Sequence, residues 1–127
     1  MIPDIPSRLG DGAQEALRLE NVEIVNKRFA ASFYFIAGRL TQVTLSLEKG
    51  HKFDGAMLVF NSLTEALRAK YGREIARDIK RGVLNRADAT WMAGRTNINV
   101  LAMSVGENDA FLNINYQVRV ASSADKL

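Results

Sequence analysis

The sequence contains no cysteine and only one histidine, and each shortage excludes a class of site. Without cysteine the chain has no disulfides, no thiolate nucleophile and no cysteine-based metal site. The single histidine, His51, lies in the polar stretch EKGHKF, where we expect it to be exposed to solvent. One histidine leaves a zinc site almost nothing to build from. No apolar run approaches the roughly 20 residues of a membrane-spanning helix.

The motifs of several common enzyme classes are also missing. Neither phosphate-binding glycine pattern, G-x-x-x-x-G-K-[ST] or G-x-G-x-x-G, occurs in the chain. The G-x-S-x-G pattern of serine hydrolases is absent as well. No pair of carboxylates stands out for glycoside hydrolysis. We therefore predict a protein that is not an enzyme and that uses no cofactor and no metal.

What is present is the composition of an ordinary globular domain, with 127 residues, 47% of them hydrophobic and 24% charged. We predict a single α+β domain over residues 1–127, with an N-terminal arm over 1–12 and a C-terminal tail over 121–127. The start, MIPDIPSRLGDG, has no basic region followed by an apolar one, so it predicts no signal peptide. A chain without cysteine suits the cytoplasm and the periplasm equally, so the localisation stays open.

Hydrophobic periodicity predicts one long helix and several strands. In DGAMLVFNSLTEALRAKYG large apolar residues recur every three or four positions, with Asp54 as the expected N-cap and Gly72 as the expected C-cap. Before it, FAASFYFIAGRLTQVTLSL predicts a hairpin, and DGAQEALRLEN predicts a short helix capped by Asp11. After the long helix we expect three strands, over ATWM, TNINVLAM and AFLNINYQVRV.

These elements predict an α+β fold in the order strand–strand–helix–strand–strand–strand. We expect an antiparallel sheet of about five strands with the long helix packed on one face. Trp91 is expected in the core, since a two-residue turn places it on the same face as Ile98. The expected core consists of Phe60, Leu63, Leu67, Trp91, Ile98, Val100, Ile114 and Tyr116.

Asparagines alternate with apolar residues on the last two expected strands. If the turn centres near Gly106–Glu107, Asn99 lies opposite Asn115 and Asn97 lies opposite Gln117. Such an outer face is either a hydrated surface, a binding face for a sugar or another polar ligand, or a face covered by a partner chain. The candidate residues of this face are Asn97, Asn99, Asn113 and Asn115.

The positive charge of the chain is concentrated in RAKYGREIARDIKRGVLNR, residues 68–86, which carry a net charge of +5 within a total of +3. As a helix, this segment would stack basic side chains that could bind an anion or a nucleic-acid phosphate. Glu74 and Asp78 each precede an arginine by three residues, which indicates solvated ion pairs instead. We therefore predict no nucleic-acid binding and keep an anion site as the alternative. Its candidate residues are Arg73, Arg77, Lys80 and Arg81.

Four segments, FYFIAGRLTQVTL, FNSLTEALRAKYG, TWMAGRTNINVLAM and AFLNINY, resemble small bacterial α+β domains of unknown function. In those domains an F-x-F…G-[KR]-L-x-x-V hairpin precedes a helix ending in K-Y-G, and a strand bearing tryptophan follows. The resemblance covers roughly residues 22–117 and rests on core and turn positions. Because many such domains are carried on exported proteins or lipoproteins, it favours an exported protein slightly and implies no catalytic residue.

The expected hairpin has apolar residues on both sides. A two-residue turn would place Val43 with Tyr34 and Ile36 and leave Phe33 and Phe35 opposite. A three-residue turn would join the aliphatic side chains to the phenylalanines. In either case one helix covers only one face of the hairpin and leaves apolar residues exposed on the other. We therefore predict a two-fold homodimer in which a second chain covers that face.

Together these patterns predict a non-enzymatic interaction or binding module that associates with itself. Two alternatives remain. One is a binder of an anionic ligand or nucleic acid through residues 68–86. The other is a binder of a small ligand in a cavity between the helix and the sheet.

Overall fold

A computed structural model describes residues 14–118 of the chain. They form one antiparallel sheet in the order β1-β2-β3-β7-β6-β5-β4, with one helix. Two meanders, β1–β3 and β4–β7, are joined where β3 pairs with β7. Along the chain the elements are β1 Gln14–Ile24, β2 Lys27–Ile36, β3 Arg39–Leu47, α1 Phe53–Tyr71, β4 Ala76–Lys80, β5 Leu84–Ala93, β6 Thr96–Val105 and β7 Phe111–Val118.

The α+β class is confirmed, but the sheet has seven strands instead of about five, and three strands precede the helix while four follow it. One additional strand is β1, where a short helix was expected. Leu17 and Leu19 lie opposite Phe33 and Ala31 of β2, so pairing with an apolar neighbour overrides the helix propensity of this segment. Asp11, the arm over 1–12 and the tail over 121–127 lie outside the described residues.

The other additional strand is β4, Ala76–Lys80, in the basic segment that was expected to be helical. It pairs with β5, which runs from Leu84 and is longer than the expected strand over ATWM. Without β4, the ten residues of β5 would be the open edge of the sheet. Cross-strand pairing therefore determines the structure here.

Helix α1 packs on β5, β6 and β7. The sheet beneath it carries small side chains, Ala87, Ala89 and Ala102, all fully buried, which allow the helix to approach closely. Larger side chains fill the space on either side of them. The expected core is confirmed, with Tyr116 partly buried and these residues buried: Phe60, Leu63, Leu67, Trp91, Ile98, Val100 and Ile114.

The ends of α1 are held by the sheet. Lys52 is the N-cap and makes no side-chain capping bond, so the expectation of Asp54 was wrong. The backbone N–H of Phe53 instead donates to the carbonyl of Glu107 at 2.9 Å, so the β6–β7 turn satisfies one of the free donors of the helix. At the other end Gly72 is the C-cap, as expected, with φ of 87°.

The β2–β3 hairpin has a two-residue loop and a bulge. Ala37 and Gly38 both have positive φ, 50° and 77°, as a type I′ turn requires. The register shifts so that Tyr34 lies opposite Gln42 and Phe35 opposite Leu40, which leaves Thr41 as the extra residue. This bulge places the aliphatic residues of β3 on the side of the phenylalanines, the arrangement that had been expected only of a longer turn.

Candidate functional site

The face of the sheet opposite α1, here called the open face, carries a continuous row of short polar side chains. Successive cross-strand partners in this row come from five neighbouring strands. Direct cross-strand partners share a face, so all of these side chains project from the same side of the sheet. This polar row consists of Ser32, Thr44, Asn115, Asn99 and Thr90.

Hydrogen bonds orient the two asparagines at the centre of the polar row. The hydroxyl of Thr44 donates to Oδ1 of Asn115 at 2.9 Å, which uses the oxygen of that amide. The Nδ2 group of Asn99 donates to Oγ1 of Thr90 at 3.1 Å and to Oδ1 of Asp88. These two bonds occupy the nitrogen of the Asn99 amide. The opposed pair therefore retains donor capacity on the nitrogen of Asn115 and acceptor capacity on the oxygen of Asn99.

The structure brings all four predicted asparagines together on the open face, in the predicted register. Asn97 pairs with Gln117 and Asn99 with Asn115, while Asn113 lies one row away, opposite Leu101. All four asparagine side chains are half-buried. Among the described residues, Oδ1 of Asn97 is a buried oxygen without a hydrogen-bond partner. The polar face predicted from alternation is therefore a contiguous surface.

Three ion pairs lie on the open face. Arg86 contacts Asp88 at 3.1 Å on β5, and Lys80 contacts Asp78 at 3.6 Å on β4. On β1 the guanidinium of Arg18 contacts the buried carboxylate of Glu15 at 2.7 Å, and this hydrogen bond raises the pKa of the arginine. Within each of these three pairs the positive charge is balanced by a negative one.

One end of the open face is apolar, which was not expected from the sequence. Leu84, Met103, Val105 and Phe111 line a surface cavity of about 500 Å³ together with Asp109 and other polar residues of the β6–β7 turn. The sequence of β6 contains a sign of this apolar end. Every second residue of β6 faces the open side, and these residues change from asparagine to Met103 and Val105 along the strand. The strand expected over ATWM does not reach Leu84, whereas β5 begins there and completes the apolar end.

The predicted anion-binding residues do not lie on one helical stripe. Arg77 lies opposite Ala89 and therefore on the helix side of the sheet, whereas Lys80 lies opposite Arg86 on the open face. Arg81 donates to Asp54 at 2.8 Å, and Arg73 lies in the loop after α1. The expected stacking was wrong because the segment forms β4, in which successive side chains point to opposite faces. Anion binding itself stays a prediction.

The expected intrahelical ion pairs were also wrong. Glu74 accepts three hydrogen bonds from Arg68, at 2.7, 2.9 and 3.2 Å, which connect the last turn of α1 to the loop before β4. These hydrogen bonds hold the pKa of Glu74 below its ordinary value. The basic segment therefore uses part of its charge in contacts that hold the fold.

Two other residues singled out in the sequence have structural positions. Trp91 is buried, as expected, and its indole Nε1 donates to the carbonyl of Gly72 at 2.9 Å. His51 is half-buried instead of exposed, because its backbone carbonyl accepts from Ala110 at 3.0 Å and holds it against β7. Neither side chain contributes to the open face.

No group of three or more His, Asp or Glu side chains within residues 14–118 is arranged to hold a metal ion. In the same part of the chain, no helix is both long enough and apolar enough to cross a membrane.

Phe60, Ile98 and Val100 fill the space between α1 and the sheet. The 500 Å³ cavity lies at the sheet surface.

Comparisons with protein-family models, curated proteins and solved structures found no match to this chain. The resemblance to small bacterial domains of unknown function therefore stays a prediction, and the candidate site rests on the geometry of the chain alone.

Proposed function

We propose that this protein is a non-enzymatic binding module that associates with itself and presents the open face of its sheet to an uncharged polar partner. The polar row is the observation that carries this proposal. Its side chains cross five strands without interruption, and its two central amides are oriented by Thr44, Thr90 and Asp88. An array of fixed donors and acceptors can recognise sugar hydroxyls or peptide groups at a small entropic cost.

Three ion pairs on the open face favour an uncharged partner over an anion. Arg18, Arg86 and Lys80 each have a carboxylate within 4 Å, so an incoming phosphate would compete with an ion pair already formed. Shape and hydrogen bonding are then left to determine affinity, and salt would have little effect on it. The apolar end at Phe111 and Leu84 would add buried area beside the polar row.

Side-chain NMR of the asparagine NH₂ groups tests this proposal directly. The probes are neutral oligosaccharides, an uncharged Ser/Gly/Asn-rich peptide, and heparin as a polyanion. We expect one of the neutral probes to shift the NH₂ signals of Asn99 and Asn115, with little change between 50 and 300 mM salt. The Asn115→Leu variant should lose the response.

A different result would overturn the assignment of the binding surface. If heparin shifts the backbone signals of Arg73, Arg77 and Arg81 and the effect weakens steeply with salt, the basic segment is the binding site. If no neutral probe shifts the asparagine signals even at millimolar concentration, the open face is a hydrated surface and the proposal fails.

A further inference from the structure

The two edge strands of the sheet differ in regularity. β1 pairs with β2 through two irregularities, one between Glu15 and Leu17 and one between Leu19 and Val22. β4 pairs with β5 over five consecutive residues without a shift, and every residue of β4 is exposed. Bulges turn an edge away from strand addition, whereas a regular edge presents N–H and C=O groups to a further strand. Within residues 14–118, β4 is therefore the edge suited to pair with another strand.

The β4 edge is complementary to itself in one antiparallel register. If Ile79 lies opposite Ile79 of a second copy, then Asp78 lies opposite Lys80 of the second copy, and the two-fold axis generates this pair twice. Ile75 and Val83 lie just outside the two ends of β4, and the same register brings Ile75 near Val83 of the second copy. Ile75, Ile79 and Val83 are 66%, 40% and 87% exposed, so the pairing would cover aliphatic side chains that water now contacts.

Neighbouring registers are much less favourable. A shift of one residue in either direction places Ile79 opposite a charged residue and mixes the two faces of the sheet. A shift of two residues places either Asp78 opposite Asp78 or Lys80 opposite Lys80 of the second copy. Like charges in direct cross-strand positions are destabilising. The sequence of the edge therefore selects the register centred on Ile79.

The favoured register also brings Arg77 near Arg81 of the second copy, just beyond the end of β4, and the two-fold axis generates this pair of like charges twice. Arg81 already donates to Asp54 at 2.8 Å and lies 5.1 Å from the centre of the Phe53 ring. The side chain of Asp54 is 73% exposed, so it can accept from a second arginine as well. This carboxylate would offset the repulsion between the two guanidinium groups.

We infer that the chain forms a two-fold homodimer in which β4 of one copy pairs with β4 of a second copy, centred on Ile79, so that the two sheets become one. This inference rests on the self-association proposed above and names its surface. It places the contact at the β4 edge and not at the β2–β3 hairpin, where the bulge puts the aliphatic residues of β3 with the phenylalanines and Tyr34 on the other side is buried. The open face remains accessible on both copies.

Sedimentation velocity between about 5 and 500 µM tests the register with four chains: wild type, Asp78→Lys, Lys80→Asp and the double variant carrying both. Each single substitution turns two attractive pairs into two repulsive ones, and we expect the dissociation constant to rise on the order of tenfold. The double variant, and an equimolar mixture of the two single variants, restore opposite charges and should recover the dimer. Glu23→Lys, the same change of charge on the β1 edge, is the matched control and should leave the dimer intact.

The outcomes separate this inference from the proposal on which it rests. A wild-type chain that stays at 14.1 kDa throughout would contradict both. A dimer that tolerates both single substitutions associates through another surface, which would overturn the β4 contact alone. If the single variants weaken association and neither the mixture nor the double variant recovers it, the charge pairing is wrong and the register fails. Circular dichroism should show that every variant is folded.

Discussion

Two neighbouring residues of β7, Ile114 and Asn115, show how differently the two faces of this sheet are used. Ile114 points toward α1, where it is 1% exposed and packs in the core. Asn115 points to the open face, where it is half-buried and bonded to Thr44. The helix face is made of interlocking apolar side chains, whereas the centre of the open face is a row of short polar side chains that contact each other across strands.

The two faces have different roles. The face under α1 provides stability, and the open face is available for recognition. Burial of apolar side chains under α1 supplies the main driving force for folding. The open face adds small net contributions, because its hydrogen bonds replace bonds to water. The polar row can therefore be altered to test binding without loss of the fold, and the predictions below test this separation.

The largest contrast is expected between alanine substitutions at Ile114 and Asn115. Ile114→Ala removes buried methyl groups and leaves a cavity, so the free energy of unfolding should fall by roughly 2–5 kcal/mol. Asn115→Ala should lower it by about 1 kcal/mol or less. Urea unfolding of both variants measures the two losses. Equal losses at the two positions would show that the open face also carries the fold.

A second, smaller loss is expected at Trp91, which joins the sheet to the end of α1 through Gly72. Trp91→Phe removes the hydrogen bond from Nε1 and some buried volume, so we expect a loss of roughly 1–3 kcal/mol. Met92→Leu, next along the strand on the open face, keeps the volume nearly constant and should change stability by less than about 0.5 kcal/mol. Thermal unfolding compares the two, and a larger effect at Met92 would reverse the roles of the faces.

The tight turn at Ala37 offers a stabilising change. Its φ of 50° lies in the left-handed region, which costs an alanine roughly 1 kcal/mol. Ala37→Gly should therefore stabilise the hairpin by a fraction of a kcal/mol after the entropy of glycine in the unfolded chain is included. Gly38→Ala, with φ of 77°, should destabilise it. If Ala37→Gly destabilises the protein, contacts of the methyl group outweigh the backbone strain.

The smallest effect is expected from pH, through Glu74. Its pKa is lowered by hydrogen bonds from Arg68, so its contribution to stability is present at neutral pH. That contribution is lost as the pH falls below about 4.3, the ordinary value, and through the lowered pKa of the folded state. The difference in stability between wild type and Glu74→Gln should therefore shrink between pH 7 and pH 3. When Arg68 is replaced by glutamine in both the wild type and the Glu74→Gln variant, the stability difference between the two chains should hardly change with pH. If it still changes with pH, a group other than Arg68 lowers the pKa of Glu74.

Alternation and periodicity predicted the parts of the fold where one face is clearly buried. The register of β6 against β7, the core position of Trp91 and the C-cap at Gly72 were all confirmed. In these segments a change of register would expose the apolar side chains, so the pattern allows one solution.

The edge strands and the bulge could not be predicted in the same way. β1 and β4 contain residues with fair helix propensity, and they are strands because β2 and β5 offer them unpaired edges. The extra residue Thr41 reverses the faces of β3, yet nothing in the local pattern indicates it. These features depend on pairing between segments, and propensity within a segment does not contain that information.

The most direct test of this account is the stability of a variant that removes the polar row. Thr44→Ala, Asn99→Ala and Asn115→Ala together delete its central hydrogen-bonding groups and leave every core side chain in place. If the open face is a recognition surface, the triple variant should lose less unfolding free energy than Ile114→Ala loses, and it should no longer respond to the neutral NMR probe. A triple variant that unfolds as readily as Ile114→Ala would show that the polar row holds the sheet together, which would contradict the assignment of the open face to binding.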